Sequence, residues 1–138
     1  MTRFEFELLP VTELKVHEKT FSDRVQRIKK EILKSELVLT PLWIDKKRRI
    51  VLNGHHRLAA LKELGCARVP VLLIDYDSCC VTVGICSAAS ISSINKSAVI
   101  EAAISGPLFP PRSSLHSLNF TPPNFSVPLS ALKEQIRK

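Results

Sequence analysis

Residues 50–65 read Ile50-Val51-Leu52-Asn53-Gly54-His55-His56-Arg57-Leu58-Ala59-Ala60-Leu61-Lys62-Glu63-Leu64-Gly65. A short apolar run ends at Asn53, and Gly54 lets the backbone turn tightly. From His55 the apolar residues recur every three positions, at Leu58, Leu61 and Leu64, which predicts the buried stripe of a short helix. Gly65 supplies the stop, being free to adopt the left-handed conformation past the last turn. The stretch therefore reads as strand, tight turn, helix, and then a second apolar strand over Val69–Tyr76. The helix start would expose unpaired N–H groups beside two imidazoles and a guanidinium. Cations at that end oppose the helix dipole, so a merely solvated helix end is the poorer reading. An anion site, with phosphate as the ligand, is the better one.

Upstream, Phe4-Glu5-Phe6-Glu7-Leu8 alternates apolar and acidic residues, as a half-buried strand does. Pro10 ends it, and Val11–Leu14 forms a short turn leading to Val16-His17-Glu18. Ser22-Asp23 is a cap pair for a helix in which Val25, Ile28, Ile32 and Leu33 mark the inner side beneath a basic outer face. Leu42-Trp43-Ile44 then pairs antiparallel with Ile50–Leu52 across the charged turn Lys46-Lys47-Arg48-Arg49.

Downstream, Cys79–Ile85 reads as another buried strand and Ser87–Ser93 as a loop. Asn95 caps a helix whose Val99, Ile100 and Ala103 face inward and which stops at Gly106-Pro107. From Phe109 to Leu129 five prolines exclude regular structure at the start. A segment that long rarely persists without a use. Phe109, Leu118, Phe120 and Phe125 argue that it packs.

A chain of 138 residues has room for one domain, residues 1–138, and a useful core. With 45% hydrophobic and 24% charged residues it is globular, which sets disordered classes aside. Its longest apolar runs are strand length, so no membrane span is expected, and Met1-Thr2-Arg3-Phe4 carries no secretory signal. The formal charge of +7 would suit a polyanion, yet it is spread along the chain, and one Trp and one Tyr leave little for base stacking. The cysteines Cys66, Cys79, Cys80 and Cys86 do not form paired metal-binding units and read as reduced thiols of a cytoplasmic protein. The expectation is an α+β fold with a small mixed sheet flanked by about three helices.

All four histidines lie at irregular junctions: His17 beside Glu18, His55-His56 at the turn, and His116 after Arg112-Ser113-Ser114. Together these segments supply what phosphoryl transfer needs. Glu18 could accept a hydroxyl proton, Gly54, His55, His56 and Arg57 could hold phosphates, and Arg112, Ser113, Ser114 and His116 could bind a small zwitterion.

The Asn53-Gly54-His55-His56-Arg57 segment resembles the phosphate-binding motif of the ParB/sulfiredoxin superfamily. Within it the likeness is strongest to the free L-serine kinases of archaea and of bacterial siderophore pathways. Those proteins carry Pro-His-Glu before the first helix, Asp-Gly-His-His-Arg at the central turn and Pro-Lys-Thr-Thr-Arg-His near the end. Here Val16-His17-Glu18, Asn53–Arg57 and Pro111–His116 follow in the same order, and Leu118–Leu129 resembles the family's closing stretch. The resemblance implies transfer of a phosphoryl group from ATP or ADP, with Mg²⁺, to the hydroxyl of free L-serine or an analogue. It implies Glu18 and Asn53 at the reaction centre, Gly54 to Arg57 on the nucleotide phosphates, and His17, Arg112, Ser113, Ser114 and His116 around the amino acid.

Three departures accompany the likeness. Asn53 stands where those kinases have Asp, Leu115 where they have Arg, and the domain they insert in the middle is reduced to about Ser87–Ser93. A slow kinase, a kinase for a different hydroxyl compound and a binder without catalysis are all compatible with them. A ParB-like regulator that binds nucleotide or DNA is the rival class. Sulfiredoxin chemistry fits poorly, because its reactive cysteine would fall at His55 or His56.

Overall fold

The structure is a computed structural model that describes residues 4–78, 80–85, 94–122 and 125–133. Cys79, Cys86 and the expected loop Ser87–Ser93 lie outside the described residues.

The central sheet has four strands in the order β1 (Phe4–Pro10), β5 (Arg68–Ile74), β3 (Leu42–Asp45), β4 (Val51–Asn53). β1 and β5 are antiparallel, β5 and β3 parallel, β3 and β4 antiparallel. The parallel pair needs a crossover, which α2 (His55–Glu63) provides on its way from β4 to β5. β5 reads as an unbroken apolar run because both faces of the sheet are covered. Val69, Val71 and Leu73 enter one cluster with Leu42, Ile44, Val51, Leu58 and Leu61. Leu72 and Ile74 enter the other with Ile50, Leu52, Tyr76, Val81 and Val99.

The first cluster is roofed by α1 (Ser22–Ser35), α2 and a short α4 (Leu129–Lys133). Beneath the second lie α3 (Lys96–Ile104) and the antiparallel pair β6 (Val81–Ile85) and β7 (Ser114–Leu118). A third sheet pairs β2 (Leu37–Val38) with β8 (Val127–Pro128). The tail does pack: Phe120 stacks on Phe4 at 5.6 Å and Phe125 meets Phe6 at 4.3 Å. No helix among the described residues is long and apolar enough to cross a membrane.

Four local expectations need correction. Ser22 and Asp23 do not cap α1. Phe21 is its N-cap, without a side-chain bond, and the Phe21 N–H is taken by His56 instead. Cys80 is half-buried in a turn before β6, beside the Ser78 hydroxyl, and β6 itself is an edge strand with an exposed side. Leu33, expected on the inner side of α1, is 51% exposed, whereas in α3 Val99 is buried, Ile100 and Ala103 pack against the second cluster, and Asn95 caps the helix by accepting from the Ala98 N–H, all as expected. The closing strand is two residues long and yields to α4, a fourth helix.

Candidate active site

The turn that precedes α2 is built on Gly54, whose φ of 110° disfavours any side chain. A Cβ there would also lie 2.8 Å from Cγ of Leu42, which is fully buried. The amides of His55, His56 and Arg57 precede the first helical bond, from Leu58 N–H to the Gly54 carbonyl at 2.8 Å. They are the donors that an anion at this helix end would meet.

Both imidazoles at this helix start accept backbone N–H groups. His55 is buried and its Nε2 accepts the His17 backbone N–H at 3.2 Å; His56 Nε2 accepts that of Phe21 at 2.9 Å. Each ring, used as an acceptor at Nε2, carries its proton on Nδ1 when neutral. Burial first, and then the neighbouring His17, push His55 down to about 3. Burial and Arg24 also lower His56. Both rings tie segment 17–21 to the start of α2. The signal for His55 was present in the sequence: it lies three residues before Leu58 and six before Leu61, on the apolar stripe.

Segment 17–19 in turn holds the proline-rich loop. Phe109 N–H donates to the His17 carbonyl at 2.8 Å, and Lys19 N–H to the Phe109 carbonyl at 2.9 Å. The loop then turns through Arg112, which adopts a left-handed φ of 57°. That turn aims Arg112 N–H at Oε1 of Glu18, 3.0 Å away, and Ser114 N–H at Oε2, 2.9 Å away. The Ser114 hydroxyl also donates to Oε2, and its Oγ lies 2.9 Å from Nε2 of His17. Burial alone would raise the Glu18 carboxyl; the bonds from His17 and Ser114 outweigh it and hold the group at about 2.

Alternation along β7 sends Ser114 and His116 inward and leaves Leu115 outward, 56% exposed. His116 Nε2 pairs with the Tyr76 hydroxyl at 2.9 Å, and the ring also bonds the Leu52 backbone; among the described residues Nδ1 of His17 is buried without a hydrogen-bond partner. Burial and His17 push His116 to about 3; burial pushes the Tyr76 phenol up. The His17 ring lies 4.5 Å from His55 and 5.8 Å from His116, centroid to centroid.

Glu18, Asn53, Gly54, His55, Arg112, Ser114, Leu115 and His116 line one cavity of about 170 Å³. His17 does not line it, but its Nε2 contacts two residues that do, Ser114 at 2.9 Å and Glu18 at 3.5 Å. Ser113 is the sequence candidate that the structure turns away: it is fully buried, and its hydroxyl donates to the Pro110 carbonyl. His56 and Arg57 lie outside this lining too. Arg57 instead borders a larger cavity of about 640 Å³ with Ile28, Ile32, Leu37, Val38 and Leu39. Burial lowers its guanidinium, which has no partner among the described residues. This apolar cavity and Tyr76 were not singled out by the sequence. His17, Glu18 and His55 could also hold a metal ion, with ligand atoms within 4.8 Å of one another.

No protein-family model matches the chain. It is 38% identical over 95 residues to an ATP-dependent L-serine kinase of Staphylothermus marinus, a match covering 64% of this chain and 37% of the relative. It is 32% identical over 78 residues to a ParB-like protein of Sulfolobus acidocaldarius, covering 56% and 39%. The matched stretches thus span well under half the length of these curated relatives. Among solved structures, free serine kinase in complex with AMP superposes with a TM-score of 0.78 at 16% identity, over 94% of this chain and 93% of that one. SbnI with a C-terminal truncation, from Staphylococcus aureus, gives 0.76 at 15%, over 96% and 90%. The chain has the α+β fold of free serine kinase, and its sequence is similar to a ParB-like protein and to ATP-dependent L-serine kinases.

Proposed function

We propose that the chain is a phosphotransferase that moves the terminal phosphoryl group of a nucleotide to the hydroxyl of free L-serine or a close analogue. The observation that carries this reading is the shared cavity: a carboxylate, Glu18, faces the N-terminus of α2 at Gly54 across about 170 Å³. A proton acceptor and an anion cradle then meet around a space sized for a small acceptor. The likeness to ATP-dependent L-serine kinases names serine. On this reading residues 1–138 act as one cytoplasmic domain.

The nucleotide would lay its phosphates on the amides at the start of α2, with Arg57 reaching them from the edge of the apolar cavity. Ile28, Ile32, Val38 and Leu39 would receive the nucleoside there. ATP and ADP both suit this arrangement. Mg²⁺ fits the oxygen donors present, since it takes one or two protein oxygens beside substrate phosphates. Asn53, which lines the cavity, would offer such an oxygen, leaving Glu18 as the proton acceptor. When bound, the ion neutralises charge on the phosphates. The set of His17, Glu18 and His55 has two nitrogen donors and suits a softer ion.

A carboxylate held at about 2 is a weak base toward an intact alcohol. Phosphoryl transfer relaxes that demand, because the hydroxyl becomes acidic only as its oxygen bonds to phosphorus. His17, Ser114, Arg112 and His116 would position the amino acid, while Asn53, carrying no charge, makes the reaction slow.

The test is to incubate the purified protein with Mg²⁺, ATP or ADP and a panel of hydroxyl amino acids, and to look for phosphoserine. Glu18→Gln should slow product formation by about 100-fold or more, the usual contribution of a general base. Asn53→Asp should speed it. Product at the wild-type rate from Glu18→Gln would remove the assigned base. Tight binding of duplex DNA with a steep salt dependence, and none of nucleotide, would favour a ParB-like regulator.

A further inference from the structure

Glu18 already holds a serine hydroxyl, and it belongs to the chain itself. Ser114 Oγ donates to Oε2 of Glu18, and His17 Nε2 lies 2.9 Å from that Oγ. With its proton on the carboxylate side and one lone pair facing His17, the oxygen keeps a second lone pair for an incoming electrophile. The residue is half-buried and lines the cavity that Gly54 also lines. Its position is fixed by backbone as well: Ser114 N–H and Arg112 N–H both bond the same carboxylate, so little freedom remains to be lost before reaction. Ser113, its neighbour, has none of these features, being fully buried with its hydroxyl on the Pro110 carbonyl.

We propose that the chain phosphorylates itself on Ser114. The inference rests on the reading that the cleft binds a nucleoside triphosphate. Ser114 Oγ bonds to the terminal phosphorus, the bond from that phosphorus to the bridging oxygen breaks, and a nucleoside diphosphate leaves. The hydroxyl proton passes to Glu18. Atoms and charge balance with no further reagent. The product is a phosphoserine whose added negative charge faces the amides at the start of α2 and the loop at Arg112.

The experiment is incubation of the purified chain with Mg²⁺ and terminally labelled ATP, without amino acid, followed by intact-mass measurement and peptide mapping. The expected result is one acid-stable phosphoryl group per chain, on Ser114. Ser114→Ala should lose the label while its nucleotide affinity, read by calorimetry, stays within a few-fold of wild type. Ser117→Ala, altered on the exposed side of β7, should keep the label. Glu18→Gln should slow incorporation by about 100-fold or more. Nucleotide binding with no phosphate on Ser114 would overturn this inference and leave the proposed function standing. An acid-labile label, which would point to a histidine, or a label surviving in Ser114→Ala would overturn it as well. Absence of nucleotide binding would bring down both.

Discussion

Two cavities meet near Gly54 and are built on opposite terms. In the smaller one the charge is spoken for: each oxygen of Glu18 accepts from the chain's own backbone, and a hydroxyl and an imidazole crowd the second. In the larger one Ile28, Ile32, Leu37, Val38 and Leu39 share the wall with Glu31, Lys34, Ser35 and Thr40, and Arg57 stands partly desolvated without a partner among the described residues. A polar cluster whose groups satisfy one another is rigid before any ligand arrives. On the proposed reading, a desolvated cation such as Arg57 would gain most from an anion that comes from outside. On that reading the first region would position the acceptor and the second would bind the nucleotide. Gly54 is the partition, since a Cβ there would meet Leu42 on one side and lie 3.6 Å from Nη1 of Arg57 on the other.

Acid is the strongest way to break the polar region. His55 and His116 fall from an ordinary 6.5 to about 3, and Glu18 from 4.5 to about 2. Lowered folded values mean stability that is fully present above the unfolded values and is lost as pH falls through the folded ones. The histidines therefore act between 6.5 and 3, each steepening the decline by up to about 1.4 kcal/mol per pH unit, and Glu18 joins below 4.5. Denaturant midpoints measured from pH 7.5 to 4 should fall steadily from about 6.5 downward. A flat profile to 4.5 would show that the imidazoles are open to water.

Arg57→Ala addresses the other region and should separate the two. Removing one partner of a desolvated charge contact costs about 2–5 kcal/mol of binding, or roughly 30-fold and upward in nucleotide affinity. Thermal stability of the free protein should not drop, because the guanidinium gives up no partner among the described residues. Calorimetry and melting on the same sample would check both halves. Unchanged affinity would move the nucleotide away from the apolar cavity.

Gly54→Ala strikes the partition and should affect both cavities at once. Overpacking against fully buried Leu42, together with the disfavoured φ, should cost about 1–3 kcal/mol of stability. Urea unfolding would read it. A neutral result would mean that Leu42 can shift, and that the two cavities are less separate than they look.

Much of this molecule was legible because it is local. The change of period at Gly54, the stop at Gly65 and the cap at Asn95 depend on residues within one or two turns of each other, and the α+β fold class followed from them. β7 was not legible. Ser114-Leu115-His116-Ser117-Leu118 follows three prolines within residues 107–111, and only its partner β6 makes it a strand. The candidate residues were legible as a set, because Val16-His17-Glu18, Asn53–Arg57 and Pro111–His116 carry a family likeness. Their roles in the structure were not: His55 and His56 act as acceptors for backbone amides, and Ser113 faces away.

The sequence by itself determined the turn at Gly54, the stop at Gly65 and the cap at Asn95, since periodicity, glycine and caps act through neighbours along the chain. Only the tertiary structure decided what those ends face. Glu18 and Ser114 are 96 positions apart, and their contact exists because Phe109 is tied to His17 and Lys19 while Arg112 turns left-handed beyond it. The apolar cavity beside Arg57 arises in the same way, from α1, β2 and α2 packing without filling the space between them. Such contacts depend on loop closure and on the shape of what remains unfilled, and neither is written in any one stretch of residues.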